Sequence, residues 1–109
     1  MIKSFYLANK KENHAYKLII AGSFISSRYT NDINRIIQYY EYSDMIQLIG
    51  SVKKDKIKIL YKNCEFLLFP SPCENFAYTL VEAMSMGTPI VCSNTTAMPD
   101  TCQNAAVYF

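Results

Sequence analysis

The stretch that decides the fold is residues 66–87, which read FLLFPSPCENFAYTLVEAMSMG. The apolar run at 66–69 predicts a short buried strand, and Pro70 and Pro72 end it because they force an extended corner. Beyond the corner, apolar side chains recur on one helical face, at Phe76, Leu80, Ala83, Met84 and Gly87. This spacing predicts a helix over 76–87, beginning at about Phe76 or Ala77.

The same alternation extends to both sides of this stretch. Further strands are predicted at 17–21, 46–49, 89–93 and 106–109, and further helices over the first dozen residues, 31–40 and 54–64. Thr30 and Asn31 are suitable N-caps for the helix over 31–40. Strands that are apolar on both faces and alternate with helices predict a Rossmann-like α/β fold, a parallel sheet with helices on both faces. In such sheets ligands bind beyond the carboxyl ends of the strands.

Composition excludes several classes of function. The chain has 109 residues, and its eleven Lys and Arg against nine Asp and Glu give a net charge of +2. That balance disfavours a dedicated nucleic-acid or anionic-membrane binder. No apolar run approaches the roughly 18 residues of a membrane-spanning helix, and the first residues do not resemble a signal peptide. We therefore expect a cytoplasmic protein, with the inner face of a membrane as the alternative location of an intact form.

The residues that commonly bind metals and cofactors do not form a recognisable pattern. The cysteine spacing fits no zinc motif, the chain has a single histidine (His14, expected to be exposed) and it contains no Asp-x-Asp. Three glycines cannot supply the G-x-G-x-x-G of a dinucleotide site. We predict no metal, no cofactor and four free thiols, with Cys64 and Cys92 in the core.

The corner at 70–75 is the segment most suited to chemistry. Glu74 is predicted to lie at the mouth of a strand and near the start of a helix. Free backbone N–H groups at a helix start, here those of Phe76, Ala77, Tyr78 and Thr79, form an anion site together with the helix dipole. The Thr79 hydroxyl can add a further contact. Glu82 falls opposite the apolar stripe on a helical wheel, so it is expected to face solvent or a cleft.

The spacing Glu74-x7-Glu82, embedded in ENFAYTLVEAMSMGTPIV, resembles the E-x7-E signature of retaining GT-B glycosyltransferases of group 1. Other segments resemble that family in the same order: KLIIAG, IQLIGSV, LYKNCEFLLFPSPCENF, GTPIVCS and PD…AAVYF. Several spaced motifs in register are more specific than a single E-x7-E. The resemblance covers roughly residues 17–109 and implies part of the C-terminal, nucleotide-sugar-binding domain of a GT-B fold.

The resemblance also implies roles for individual residues. Glu74 would contact hydroxyls of the donor sugar, and Glu82 would hold the ribose of the nucleotide. Backbone amides at about 76–80 would hold the diphosphate, so the expected substrate-binding residues of this segment are Asn75, Phe76, Ala77, Tyr78, Thr79 and Leu80. Val52 would lie by the base through its main chain, and Gly22 would allow close approach of the backbone to the ligand.

The chain also departs from the family pattern. Ala77 stands where the family usually has glycine, and the family's Arg and Lys pair, which neutralises the leaving diphosphate, has no counterpart here. We therefore expect residues 1–109 to be a single truncated domain that lacks the N-terminal acceptor domain. Alone it should have little transferase activity, and its uncovered faces could drive self-association. A glycan or lipid-linked acceptor would bind through the missing domain.

Two alternatives remain from the residues themselves. A nucleotide-sugar epimerase or a phosphorylase-like protein also binds phosphate at a helix start, but it needs a catalytic base or a cofactor lysine that the sequence does not suggest. A non-catalytic Rossmann-like module that binds nucleotide or protein is the other alternative. A phosphoacceptor regulator would need acidic residues at strand ends, and Ala21, Gly50 and Phe69 stand there instead.

Overall fold

A computed structural model describes residues 1–12, 16–23 and 26–109 of the chain. The chain divides into two compact units, Met1–Val52 and Lys53–Phe109. His14 lies outside the described residues, so its predicted exposure stays a prediction. Both units contain parallel strands that alternate with helices, which confirms the predicted α/β class.

The described part of the first unit contains two helices and two strands in alternation. They are α1 (Ile2–Glu12), β1 (Leu18–Ala21), α2 (Ser27–Tyr39) and β2 (Ile46–Gly50). The strands pair in parallel with Leu18 opposite Ile46, and the register shifts between Ile20 and Ala21. Ile33, Ile37 and Ile46 are the buried centre, and partly buried apolar residues pack on them: Ile2, Phe5, Leu18, Ile20, Tyr42 and Leu48.

The start of α2 differs from the prediction. The helix begins four residues earlier than expected, with Ser26 in an extended conformation as its N-cap residue (φ −142°, ψ 131°). Thr30 and Asn31, the predicted caps, lie inside the helix, so that prediction is wrong. The Thr30 hydroxyl donates to the carbonyl of Ser26 at 3.2 Å, one turn back, and is therefore used within the helix.

The second unit contains three helices, a short 3-10 turn and three strands. In order they are α3 (Lys54–Asn63), β3 (Leu67–Phe69), α4 (Tyr78–Ser85), β4 (Ile90–Cys92), α5 (Met98–Cys102), the 3-10 turn Gln103–Ala105 and β5 (Ala106–Tyr108). The sheet order is β3-β4-β5, and both pairings are parallel. Leu67, Ile90 and Ala106 stand side by side across the sheet. The carboxyl ends of the three strands therefore meet at one edge.

The core of the second unit joins the strands to α4 and α5. Its buried members are Tyr61, Ala77, Leu80, Ala83, Ile90, Cys92, Met98 and Cys102. Leu80, Met98 and Cys92 are its largest completely buried side chains. Cys92 is thus a core residue, as predicted. The prediction that Cys64 lies in the core is wrong: Cys64 is exposed, because it comes after the last residue of α3 and is not on the buried face of that helix. All four cysteines are free.

The turn between α4 and β4 explains the sequence Gly87-Thr88-Pro89. Gly87 adopts a left-handed conformation (φ 76°), and its N–H donates to the carbonyl of Met84. The Thr88 N–H donates to the carbonyl of Ala83, which completes the Schellman arrangement that ends many helices. The Thr88 hydroxyl then donates to the Tyr61 carbonyl at 2.8 Å, so the end of α4 is fixed to α3.

Candidate functional site

The corner after β3 places the Glu74 carboxylate by a short local contact. Pro70 and Pro72 have no N–H to donate to a sheet, so strand pairing stops at Phe69 and the chain bends at Pro72, with Ser71 between the two prolines. The Ser71 hydroxyl is 2.8 Å from Oε1 of Glu74 and donates a hydrogen bond to it. Glu74 is half-buried, so its carboxylate is fixed at the surface of the second unit and not lost in its core.

A second loop, residues 93–96 after β4, holds the same corner from the neighbouring strand. The Glu74 N–H donates to the Thr96 hydroxyl at 3.0 Å. The Thr95 hydroxyl donates to the Pro72 carbonyl at 3.2 Å, and the buried Ser93 hydroxyl donates to the Ser71 carbonyl. Because β3 and β4 are parallel neighbours, both loops leave the same edge of the sheet, and three hydroxyls connect them.

The start of α4 offers fewer free amides than predicted. The helix begins at Tyr78, with Ala77 as a non-helical N-cap residue that has no capping side chain. The Tyr78 N–H donates to the Phe76 carbonyl at 3.1 Å, and the Leu80 N–H donates to the Ala77 carbonyl at 2.9 Å. The prediction of a free N–H at Tyr78 is therefore wrong. Of the four amides predicted to be free, those of Phe76, Ala77 and Thr79 have no acceptor among the described residues.

Glu82 lies on the exposed face of α4, as the helical wheel predicts. Its neighbours Leu80 and Ala83 are completely buried and fix the orientation of the helix. Glu82 interacts electrostatically with Tyr61 of α3. Burial raises the pKa of the Tyr61 phenol, and the negative charge of Glu82 raises it further. The two glutamates of the motif thus belong to different local settings, a loop corner for Glu74 and a helix face for Glu82.

An aromatic pair stands at the start of α4. The rings of Phe76 and Tyr78 have centroids 4.6 Å apart and an interplanar angle of 61°. Both are exposed, Tyr78 to 72% of its maximum. The other predicted members of this segment are the exposed Asn75, the half-buried Thr79 and the buried Ala77 and Leu80. The side chains of Ala77 and Leu80 thus belong to the core, which leaves only their backbone for any ligand.

The remaining predicted residues, Gly22 and Val52, belong to the first unit. Gly22 follows β1 with φ 145°, and its N–H donates to the Gly50 carbonyl at 2.9 Å. A Cβ at Gly22 would meet no protein atom within 4 Å, so its backbone conformation, and not crowding, favours glycine there. Gly22 lines a cavity of about 880 Å³ within this unit, together with Ser23, Tyr29 and Arg35. Val52 is half-buried after β2.

The sequence predicts that the loops 70–75 and 93–100 are functional, but it assigns no individual role to Ser71, Ser93, Thr95 or Thr96. The loop SNTT at 93–96 follows a strand, and that position is the available signal, because polar residues at the carboxyl ends of neighbouring parallel strands share one edge. Among the described residues, no group of three or more His, Cys, Asp or Glu side chains could hold a metal ion. No described helix is long and apolar enough to cross a membrane.

The sequence of this chain is similar to those of known glycosyltransferases. Residues 1–107 match the family described as glycosyl transferases group 1. The O-antigen chain mannosyltransferase RfbU of Salmonella typhimurium is 28% identical over 107 residues, which are 98% of this chain and 30% of that protein. The uncharacterised glycosyltransferase MJ1607 of Methanocaldococcus jannaschii is 35% identical over 83 residues, 76% of this chain and 20% of that protein. The chain thus spans less than a third of these curated relatives.

Two solved structures have the same fold as this chain over most of its length. The Anabaena protein Alr3699/HepE, crystallised in complex with UDP, superposes with a TM-score of 0.75 at 20% sequence identity. The match covers 86% of this chain and 27% of that one. Its complex with UDP and glucose gives a TM-score of 0.70 at 22% identity, over 77% of this chain and 23% of that one. At these identities the likeness establishes a shared fold.

Proposed function

The chain belongs to the glycosyl transferases group 1 family, and from this we propose that it is the donor-binding part of a glycosyltransferase. In this proposal the enzyme transfers a sugar from a nucleotide diphosphate to an acceptor hydroxyl and retains the anomeric configuration. Glu74 and Glu82 are the two acidic residues of its E-x7-E motif. The acceptor, a glycan or a lipid-linked sugar, is bound by parts of the enzyme outside residues 1–109.

The corner at Glu74 is the observation that carries this proposal. One of its carboxylate oxygens accepts the Ser71 hydroxyl, and within the described residues Oε2 has no donor. An ionised carboxylate accepts several hydrogen bonds, so Oε2 can accept hydroxyls of a sugar. Glu74 also lies three residues before Ala77, the N-cap residue of α4. The Glu74 carboxylate and the start of this helix are therefore close along the chain.

The start of α4 supplies hydrogen-bond donors for the diphosphate of the nucleotide sugar. The amides of Phe76, Ala77 and Thr79 have no acceptor within the described residues, and the helix dipole adds partial positive charge there. Such a helix start stabilises negative charge as it develops on a departing diphosphate. Glu82, exposed on the same helix, is the proposed acceptor for the ribose hydroxyls.

The relatives suggest which donor to test first. RfbU is an O-antigen chain mannosyltransferase, and Alr3699/HepE was crystallised with UDP and with glucose. A hexosyl donor is therefore the first choice, and uridine diphosphate is the first nucleotide to test. Because the chain has no counterpart of the family's cationic pair, we propose that residues 1–109 bind the donor without catalysing transfer.

Calorimetric titration of the chain with UDP-glucose, GDP-mannose and ADP-glucose tests this function. We expect weak but selective binding of one donor, and a much weaker signal for its free sugar. Replacing both motif glutamates (Glu74→Gln with Glu82→Gln) should reduce that binding without unfolding the chain. Equal affinity for all three donors, or unchanged affinity in the double variant, would contradict the proposal.

A further inference from the structure

We propose that Thr96 is a positioning residue whose hydroxyl fixes the Glu74 backbone and so directs the Glu74 carboxylate toward the donor sugar. This inference rests on the proposed function and adds to it a residue outside the E-x7-E motif. Thr96 is in the loop after β4, twenty-two residues from Glu74 in the sequence and one hydrogen bond from it in space.

The backbone at Thr96 is in a conformation that its side chain disfavours. Its φ of 47° lies in the left-handed region, where a β-branched residue is a genuine outlier. The other described non-glycine residues with positive φ, Glu41 and Gln103, are not β-branched. The Thr96 side chain is exposed, so burial in the core does not explain threonine there. Strained residues of this kind persist where the surrounding contacts require them.

The hydroxyl provides such a contact. It accepts the Glu74 N–H at 3.0 Å, and it lies 3.9 Å from the sulfur of Met98, to which its own proton points. Met98 is completely buried, so one end of this chain of contacts is anchored in the core. The hydroxyl therefore has a defined orientation, with its proton toward Met98 and a lone pair toward Glu74.

Two hydroxyls then hold Glu74 at two points. Thr96 holds the backbone N–H, and Ser71 holds Oε1. The direction of the remaining oxygen, Oε2, follows from these two contacts. A carboxylate that is oriented before the donor arrives loses less freedom on binding, which strengthens binding without any new contact to the ligand. Removing the Thr96 hydroxyl should therefore weaken donor binding through the loss of its contact with Glu74.

Four variants separate this role from a purely structural one. Thr96→Val removes the hydroxyl and keeps the branched shape, whereas Thr96→Ser keeps the hydroxyl. Thr96→Gly relieves the backbone strain and also removes the hydroxyl. Thr101→Val is the matched control, because the Thr101 hydroxyl donates to the Ala97 carbonyl at 2.7 Å inside α5 and does not reach the Glu74 corner.

The first measurement is the donor dissociation constant of each variant, taken with the nucleotide sugar that the wild-type chain binds best. We expect it to rise about tenfold in Thr96→Val and in Thr96→Gly, the effect of about one lost hydrogen bond. It should stay within about twofold of wild type in Thr96→Ser and Thr101→Val. Thermal unfolding of the glycine variant is measured alongside, because a melting temperature near that of wild type shows that weaker binding does not reflect poor folding.

The second measurement needs no donor. Hydrogen exchange of the Glu74 amide should accelerate in Thr96→Val and Thr96→Gly and match wild type in the other two variants. Wild-type exchange at Glu74 in Thr96→Val would overturn the inference, as would wild-type donor affinity in that variant. A wild-type chain that binds no nucleotide sugar would overturn the proposed function and the inference with it, so the two failures are distinguishable.

Discussion

The Ser71 hydroxyl donates a 2.8 Å hydrogen bond to the Glu74 carboxylate, across the corner that follows β3. Ser71 in turn receives a hydrogen bond at its carbonyl from Ser93, the first residue after β4. The proposed sugar-binding carboxylate is thus attached to two neighbouring strands of one sheet. Its position depends on the sheet and not on the flexibility of a single loop.

Glu74→Gln in the intact enzyme should lower sugar transfer by about 10- to 100-fold, because hydrogen bonds to a charged acceptor contribute about 1.5–3 kcal/mol. The amide oxygen of glutamine can still accept the Ser71 hydroxyl, so folding should stay near wild type. Transfer rates and thermal unfolding measured side by side check this expectation. Unchanged turnover would exclude a role for the Glu74 charge.

Glu82→Gln should weaken donor binding while leaving the fold intact, because Glu82 is exposed on α4. The same variant should lower the pKa of Tyr61, since the Glu82 charge is one cause of its increase after burial. Ultraviolet titration of the phenol reports this change, and Tyr61→Phe identifies the Tyr61 contribution to the titration. A Tyr61 pKa that does not fall would mean that the two side chains do not interact in solution.

Leu80→Ala should destabilise the chain by about 2–5 kcal/mol, the usual cost of a cavity left by leucine in a packed core. Leu80 is 0% exposed, and it lies in the core of the second unit. Val81→Ala, one residue along the same helix and 39% exposed, is the control and should cost far less. Urea denaturation provides both values, and similar losses in the two variants would refute the assigned helix face.

Gly87→Ala should cost about 1–2 kcal/mol, because an L-residue with a side chain is strained at φ 76°. Crowding does not contribute, since a Cβ at Gly87 would meet nothing within 4 Å. Gly87→Asn should recover part of the loss, because asparagine tolerates this conformation better than alanine. Denaturant midpoints that are equal for glycine and alanine would show that α4 does not end as described.

Stability should decline at alkaline pH through Cys92 and Cys102. Burial raises the pKa of both thiols above that of an exposed cysteine. Both states keep these protons below the pKa of the unfolded chain, about 8.5. Above it the unfolded state loses them first, so the free energy of unfolding falls until the folded pKa is passed.

Urea midpoints between pH 7.5 and 10.5 measure this decline. In the double variant Cys92→Ala with Cys102→Ala the dependence on pH should be shallower, whatever the absolute stability. Comparison of slopes is necessary because burial also raises the pKa of Tyr61, which contributes to the pH dependence in the same direction. A slope identical to that of wild type would show that the two thiols are not the cause.

Local patterns in the sequence predict the α/β class and each of the five strands in the described part of the chain, but they do not predict the contacts that assemble the site. The spacing of apolar residues over 54–64 correctly predicts that α3 begins at Lys54. The helix ends at Asn63, one residue before the predicted end. The sequence does not predict the helix α5, because five residues that include Pro99 are too few for a periodic pattern. Phe76 fits the apolar stripe of α4, yet the helix begins only at Tyr78 because Ala77 is non-helical (ψ 71°).

The hydroxyls of Ser93, Thr95 and Thr96 show a different limit. Each contacts a residue more than twenty positions away, and such pairings depend on which strands become neighbours. Propensity and periodicity describe neighbours along the chain and contain no information on this pairing. Glu74 and Glu82 could be selected from the sequence because the resemblance identifies them. The position of residues 93–96 after a strand indicates their loop, but it does not identify which of their hydroxyls contact the Glu74 corner.

The hydroxyl connections between residues 70–75 and residues 93–97 also matter for protein engineering. Exchanging one of these loops with a homologue's would replace only half of each hydrogen-bonded pair and leave the other half without its partner. Chimeras intended to change sugar preference should therefore transplant both loops together as one cassette.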